Sequence, residues 1–266
     1  MKYSLSAKNL VCRNLEARAS YCAGLLNPDH SKEITGVLRA DSGLLSHTFN
    51  QAVTSAVMPT RILQRFVVDY FSERHSPFTL WHCASKPLDD TELSALGLKR
   101  QESRVAMAVE VKRLALDRET PPELSGKLEI APVAAEELDR YGDIQAAFYS
   151  GVREGLQIKK FYQELKETAE QKRSRLKFFF AKLEGEEVAA GCLFASTDAL
   201  GFYDLATREE YRGRGIGRAL FHHLVGQVLS SHHKFAVALV PVERQELLLE
   251  TGFFAVGEVA QYRYEA

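Results

Sequence analysis

The chain has 266 residues, 45% hydrophobic and 26% charged, with a formal net charge of -1. That is the composition of a water-soluble globular protein of one or two domains. Residues 1–126 carry 16 Lys and Arg against 14 Asp and Glu, and the remainder carries 18 against 21, so neither half offers a basic platform for nucleic acid.

The N-terminal residues Met1-Lys2-Tyr3-Ser4 run into a stretch broken by Lys8, Arg13, Glu16 and Arg18. This pattern supports neither a signal-peptide core nor a membrane span, and a cytoplasmic location is the expectation. Cys12, Cys22, Cys83 and Cys192 lack the paired short spacing of a zinc site or a disulfide framework, so they read as buried free thiols. No metal site is expected, and the pattern gives no oligomeric state.

In the first half, Arg61 to Phe71 shows helical periodicity at Ile62, Leu63, Phe66, Val67 and Tyr70. Phe78 to Cys83 is strand-like. Asp90 to Leu96 reads as a short helix capped by Asp89 or Asp90, and after Gly97-Leu98 a further strand is predicted over Val105 to Val111. Charged and helix-breaking residues at 119–126 interrupt the pattern, which sets domains at 1–120 and 127–266.

Beyond the break, Leu128-Glu129-Ile130 predicts a short strand, and Pro132 to Tyr149 a helix burying Leu138, Tyr141, Ile144 and Phe148. A second helix is expected over Ile158 to Lys172. Lys177 to Leu183 and Val188 to Ala195 flank Glu184-Gly185-Glu186 as a hairpin. Leu200 to Ala206 predicts a strand, Ile216 to Ser230 an amphipathic helix, and Phe235 to Val240 a strand covered on both faces. A helix over Glu243 to Glu250, Gly252 and a strand over Val256 to Tyr264 complete the chain. The order helix, strand, helix, Gly, strand thus occurs in both halves, read either as a duplication or as the chance order of any α/β chain.

Chemistry concentrates in Arg212-Gly213-Arg214-Gly215-Ile216-Gly217, between a strand and a helix. Three glycines let the backbone approach a ligand closely, the helix start adds its dipole and unpaired N–H groups, and Arg212 and Arg214 add charge. That suits a pyrophosphate. A P-loop is excluded because Gly217 is followed by Arg218-Ala219, and the context of a Rossmann fingerprint is not met.

Leu205-Ala206-Thr207 followed by Arg208 to Leu220, with Arg212, Gly215 and Gly217 in an Arg-x-x-Gly-x-Gly pattern, resembles the acetyl-CoA signature of the GNAT (N-acetyltransferase) superfamily. Leu247 to Phe253 falls in the family's order downstream. The resemblance implies an α/β fold whose mixed, mostly antiparallel sheet is splayed between its fourth and fifth strands, here Leu200 to Ala206 and Phe235 to Val240. A smaller α/β domain, a degenerate relative, would precede it. The implied cofactor is acetyl-CoA. Its pantetheine arm would meet the backbone of Leu205, Ala206 and Thr207, and its pyrophosphate the segment Arg212, Gly213, Arg214, Gly215, Ile216, Gly217 and Arg218. In the first half Ala56 to Arg61 stands where such a loop would be, without glycine.

Acyl transfer calls for a deprotonated amine and an acid for the departing thiolate. Where the family commonly has a Tyr acid this chain has Leu248, and where it commonly has a Glu base the chain has about Gly201. Tyr203 is the candidate catalytic residue, expected on the strand face of Leu205 and beside Asp204; the alternative for Tyr203 is a packing aromatic. Tyr149, Phe161 and Tyr162 are expected near the acceptor. Trp81 and His82 read either as cleft or as core, His222-His223 and His232-His233 as poor metal ligands, and the charged run Lys159 to Arg175 as a solvated helix face.

The implied function is acetyl transfer to an amine of a small molecule or peptide. A catalytically silent CoA-binding module, and an aminoacyl- or longer-acyl transferase, are the alternatives.

Overall fold

The computed structural model describes residues 2–29, 31–34, 36–116, 124, 126–149 and 152–265. The break at 119–126 lies outside them except for Leu124 and Gly126. The first half comprises α1 (Lys2–Leu26), β1 (Ser31–Ile34), β2 (Val37–Ala40), β3 (Gln51–Thr54), α2 (Thr60–Leu63), a π turn (Gln64–Val68), α3 (Asp69–Ser72), β4 (Phe78–His82), α4 (Asp90–Ala95), β5 (Leu98–Arg100) and β6 (Arg104–Glu110). The second comprises β7 (Leu128–Pro132), α5 (Leu138–Ala146), α6 (Arg153–Lys166), β8 (Leu176–Leu183), β9 (Glu186–Ala195), β10 (Ala199–Thr207), α7 (Ile216–Leu229), β11 (Phe235–Val240), α8 (Gln245–Glu250) and β12 (Phe254–Tyr264).

Among the described residues the strands join into one sheet in the order β1-β2-β3-β4-β12-β6-β11-β10-β9-β8-β7, with β5 also on β12. Only β3 with β4 and β10 with β11 run parallel. Each half therefore repeats an antiparallel run ending in one parallel pair, and in each a helix, a strand and a further helix follow. Gly97 and Gly252 sit just past α4 and α8 in the left-handed region, at φ of 81° and 94°, where glycine carries no Cβ penalty. The second half has the longer strands of the two and the first a shorter set in the same arrangement.

The halves exchange their last strands. β6, from the first half, lies between β11 and β12, and β12 continues past it to pair Ala260–Tyr264 with Phe78–His82 of β4. One long strand thus belongs to both sheets.

Helix α1, which periodicity alone does not bring out, packs Val11, Cys12, Leu15, Ala19 and Ala23 across β6, β11 and β12 at the junction. On the other face α7 buries Ile216, Leu220, Phe221, Leu224, Val225 and Val228 against β9 and β10. Helices α5 and α6 cover the α1 side, where Phe161 stacks on Phe49 of the first half at 3.7 Å between ring centres. Burial at these seams, at roughly 25 cal/mol per Å² of apolar surface, couples the halves.

Several expected boundaries move. The helix expected over Ile158 to Lys172 runs from Arg153 to Lys166 and is followed by a 3-10 turn, Glu170–Arg173. Phe148, expected on the buried face of the preceding helix, is 45% exposed, because the chain tightens into a 3-10 turn at Ala147–Tyr149 and rotates it outward. All four cysteines are buried and free.

Candidate functional site

Strands β10 and β11 pair from Ala199 with Phe235 to Phe202 with Ala238 and then separate. The cause is local to β10. Its ladder with β9 runs Tyr203 to Cys192 and resumes at Ala206 to Ala190, so Asp204 and Leu205 together oppose Gly191. Such a bulge bends the strand and raises its twist. Asp204 takes φ of +57°, a conformation costing on the order of 1–2 kcal/mol for a residue with a Cβ. In the first half, β3 and β4 stay paired to Thr54 and His82, and the Cys83 N–H donates to the Thr54 carbonyl at 2.8 Å. Among the described residues such an opening between a parallel pair lies in the second half.

The bulge corrects one expectation: Tyr203 and Leu205 do not share a face. The inserted residue reverses the alternation. Leu205 turns toward Gly191 on the α7 side and is 36% exposed, whereas Tyr203 lies on the α1 side beside Phe194.

Around Asp204 three helices converge. Arg18 of α1 donates twice to its carboxylate, at 2.9 and 3.0 Å. The Tyr162 hydroxyl of α6 donates to it at 3.2 Å, and Gln145 of α5 donates to its carbonyl at 2.6 Å. The Arg18 guanidinium lies 4.3 Å from the centre of the Tyr203 ring. The Tyr203 hydroxyl donates to Asn14 Oδ1 at 2.7 Å, and Asn14 donates to Ser196 Oγ and the Ala199 carbonyl. Burial pushes the Tyr203 phenol up, partly opposed by Arg18, so it holds its proton at neutral pH. A Cβ on Gly201 would collide with Asn14 Oδ1 and lie 2.5 Å from Tyr203 Cε2. Glycine at 201 is therefore what lets Asn14 reach Tyr203.

The glycine loop stands at the mouth of the opening. After Thr207 a 3-10 turn, Glu209–Tyr211, leads to Arg212, whose Nε donates to the Thr207 carbonyl at 3.1 Å. Gly213 and Gly215 are left-handed, at φ of 75° and 80°, and Gly215 caps α7 without a side chain. A Cβ on Gly213 would meet nothing within 4 Å, so the loop has open space on that side. The first N–H groups of α7, at Ile216, Gly217 and Arg218, have no carbonyl within the helix to bond. Arg212 lies over Phe148, 5.0 Å from the ring centre, Arg214 over Tyr211 at 5.5 Å, and Arg218 pairs with Glu250 of α8 at 3.1 Å. Open space, the first-turn amides of α7 and the guanidinium groups of Arg212 and Arg214 fit the phosphates of a CoA-type cofactor.

Of the other residues singled out from sequence, Phe161 and Tyr162 are core residues, and Tyr149 lies 6.0 Å from His47, ring to ring. Trp81 packs under α1, and the two nitrogens of His82 bond to Thr54 and to the Lys86 carbonyl on a strand remote from the bulge. Leu248 is buried among β11, α7 and α8 neighbours. Among the described residues no group of three or more His, Cys, Asp or Glu is placed to hold a metal, and no helix is long and apolar enough to cross a membrane. Asn14, Arg18 and Gln145 carry no motif; the faint signal is polar residues on the buried stripe of an otherwise apolar helix.

Residues 174–253 match the acetyltransferase (GNAT) domain family. The matched residues lie in the second half of the chain and run from just before β8 to just past α8. The whole chain has the fold of solved GNAT proteins: a GCN5-related N-acetyltransferase from Kribbella flavida is 13% identical, with 96% of each chain covered and a TM-score of 0.65. A putative GNAT acetyltransferase from Novosphingobium aromaticivorans is 12% identical over 94% of this chain and 99% of that one, at a TM-score of 0.56. A tandem GNAT protein from the clavulanic acid biosynthesis pathway is 12% identical over 86% and 78%, at 0.55. No curated protein matches the sequence. The match includes the segment from the bulge of β10 to the start of α7.

Proposed function

We propose that the protein is an acetyl-CoA-dependent N-acetyltransferase that acts on an amine of a small molecule or peptide. The observation that carries this reading is the opening between β10 and β11 beyond Phe202 with the glycine loop 212–217 at its mouth, which among the described residues the first half lacks. On this reading residues 127–266 are the transferase domain and residues 1–120 a reduced copy of the fold that walls the site.

When bound, the thioester supplies the acyl group. Amides from Gly213 to Arg218, with Arg212 and Arg214, hold the pyrophosphate; the backbone of Leu205, Ala206 and Thr207 orients the pantetheine arm. Confinement of thioester and amine in one cleft supplies much of the rate, since thiolate is a tolerable leaving group. Tyr203 is the candidate acid, and to act it has to release Asn14.

A second reading, a CoA-binding module without chemistry, draws on Leu248 and Gly201, neither of which can move a proton. Isothermal titration of acetyl-CoA and CoA into the wild type and Gly215→Glu separates the cases. Binding by the wild type alone, followed by thiol release with a panel of amines, supports the transferase; binding without release on any amine supports the module. Absence of binding to the folded wild type overturns both.

A further inference from the structure

We propose that Arg18 and Asn14, from the first half, are positioning residues for the cofactor's pantetheine arm, acting through the bulge of β10. The proposal rests on the cofactor reading above and adds a role for α1 in it.

The bulge is where β10 leaves both neighbours. Its ladder to β11 ends at Phe202, and its ladder to β9 skips Asp204 and Leu205. Backbone without ladder bonds on either side is not held by the sheet, and the left-handed Asp204 is unfavourable on its own. Something outside the sheet has to hold it. The carboxylate of Asp204 is bonded by Arg18, 186 residues away, and by Tyr162, and its carbonyl by Gln145.

Arg18 is the strongest of these ties. Its Nη2 donates to both carboxylate oxygens, its side chain is 9% exposed against 20% for Asp204, and its guanidinium also lies against the Tyr203 ring. Asn14, one turn earlier on α1, fixes the other end of the same segment by accepting from Tyr203 and donating to Ser196 and Ala199. Helix α1 thus braces β10 from Ala199 to Asp204, on the side opposite α7. The residues that follow, Leu205 to Thr207, inherit their direction from that brace. The glycine loop has an anchor of its own in α7, whose packing lies on the far face of the sheet.

The two parts of the cofactor should therefore respond separately. Titrations of acetyl-CoA, and of 3′-phosphoadenosine 5′-diphosphate, which keeps the pyrophosphate and lacks the pantetheine arm, into the full chain test this. Arg18→Ala is expected to weaken acetyl-CoA about tenfold, the scale of losing charge-assisted bonds, while the affinity for the nucleotide fragment stays within about twofold. Asp204→Asn, which keeps the shape and removes the ion pair, is expected to do the same, and Arg18→Lys to restore part of the loss. Gly215→Glu is expected to abolish binding of both.

Equal weakening of both ligands by Arg18→Ala and Asp204→Asn would mean a general loss of structure and would overturn the proposal, as would no change in either. If Arg18→Ala fails to fold, Asp204→Asn and Arg18→Lys decide on the same criterion. Failure of the wild type to bind acetyl-CoA, in contrast, removes the cofactor reading itself, and the positioning role with it.

Discussion

The hydroxyl of Tyr262, on the last strand, donates to Asp90 Oδ1 of α4 in the first half at 2.7 Å, and Asp90 in turn pairs with Arg100 at 2.8 Å. The Tyr262 ring is 1% exposed among Leu63, Leu80, Leu93 and Leu98 of the first half. The chain's C-terminal strand is thus a core element of its N-terminal sheet, and β6 returns the arrangement between β11 and β12.

A sheet shared in this way should unfold as one unit. The chain has one tryptophan, Trp81 on β4, so its fluorescence reports the first half, while far-UV circular dichroism reports both. The two denaturation curves are expected to coincide. Tyr262→Ala should shift them together by about 3–5 kcal/mol, and Tyr262→Phe, which loses only the bond to Asp90, by about 1 kcal/mol. Separate midpoints would show that the exchanged strands do not couple the halves.

Gly201→Ala is expected to destabilise the protein by about 1–3 kcal/mol, because its methyl group occupies the space through which Asn14 meets Tyr203. Equilibrium urea denaturation reads the cost. In the double variant Gly201→Ala, Asn14→Ala the added cost of Gly201→Ala should largely disappear, since the colliding amide is gone. Full additivity would place the strain elsewhere.

Stability should fall on mild acidification. Burial lowers the pKa of His82, and likewise those of His47 and His223. The Lys86 carbonyl can only accept, so Nε2 of His82 carries the proton and Nδ1 accepts from the Thr54 hydroxyl, leaving the neutral ring satisfied. With folded pKa values below the unfolded value of about 6.5, the unfolded chain binds more protons below that pH. The contribution is complete above about 6.5 and is lost as pH falls toward the folded values. The melting temperature should drop between pH 7 and pH 5, less steeply in His82→Gln. A flat profile would argue against neutral buried rings.

What the sequence determined by itself is what local spacing encodes. The apolar run Phe235 to Val240, the periodicity of Ile216 to Leu229 and the glycines between Arg212 and Ile216 are set by residues within one turn or one ladder of each other, and they stand in the structure where the pattern puts them. The GNAT signature is legible for the same reason, because a phosphate cradle is built from consecutive amides. The tertiary structure decided what depends on distant partners. Helix α1 hides in the sequence because Asn14 and Arg18 interrupt its apolar stripe, and they are tolerated in the interior only because Tyr203 and Asp204 meet them. No pattern separates a strand that pairs within its own half from one that crosses to the other, since the apolar residues of β6 and β12 would be buried either way. The side-chain face of Leu205 also turned on one inserted residue, whose left-handed backbone is held by an arginine 186 positions away in the chain.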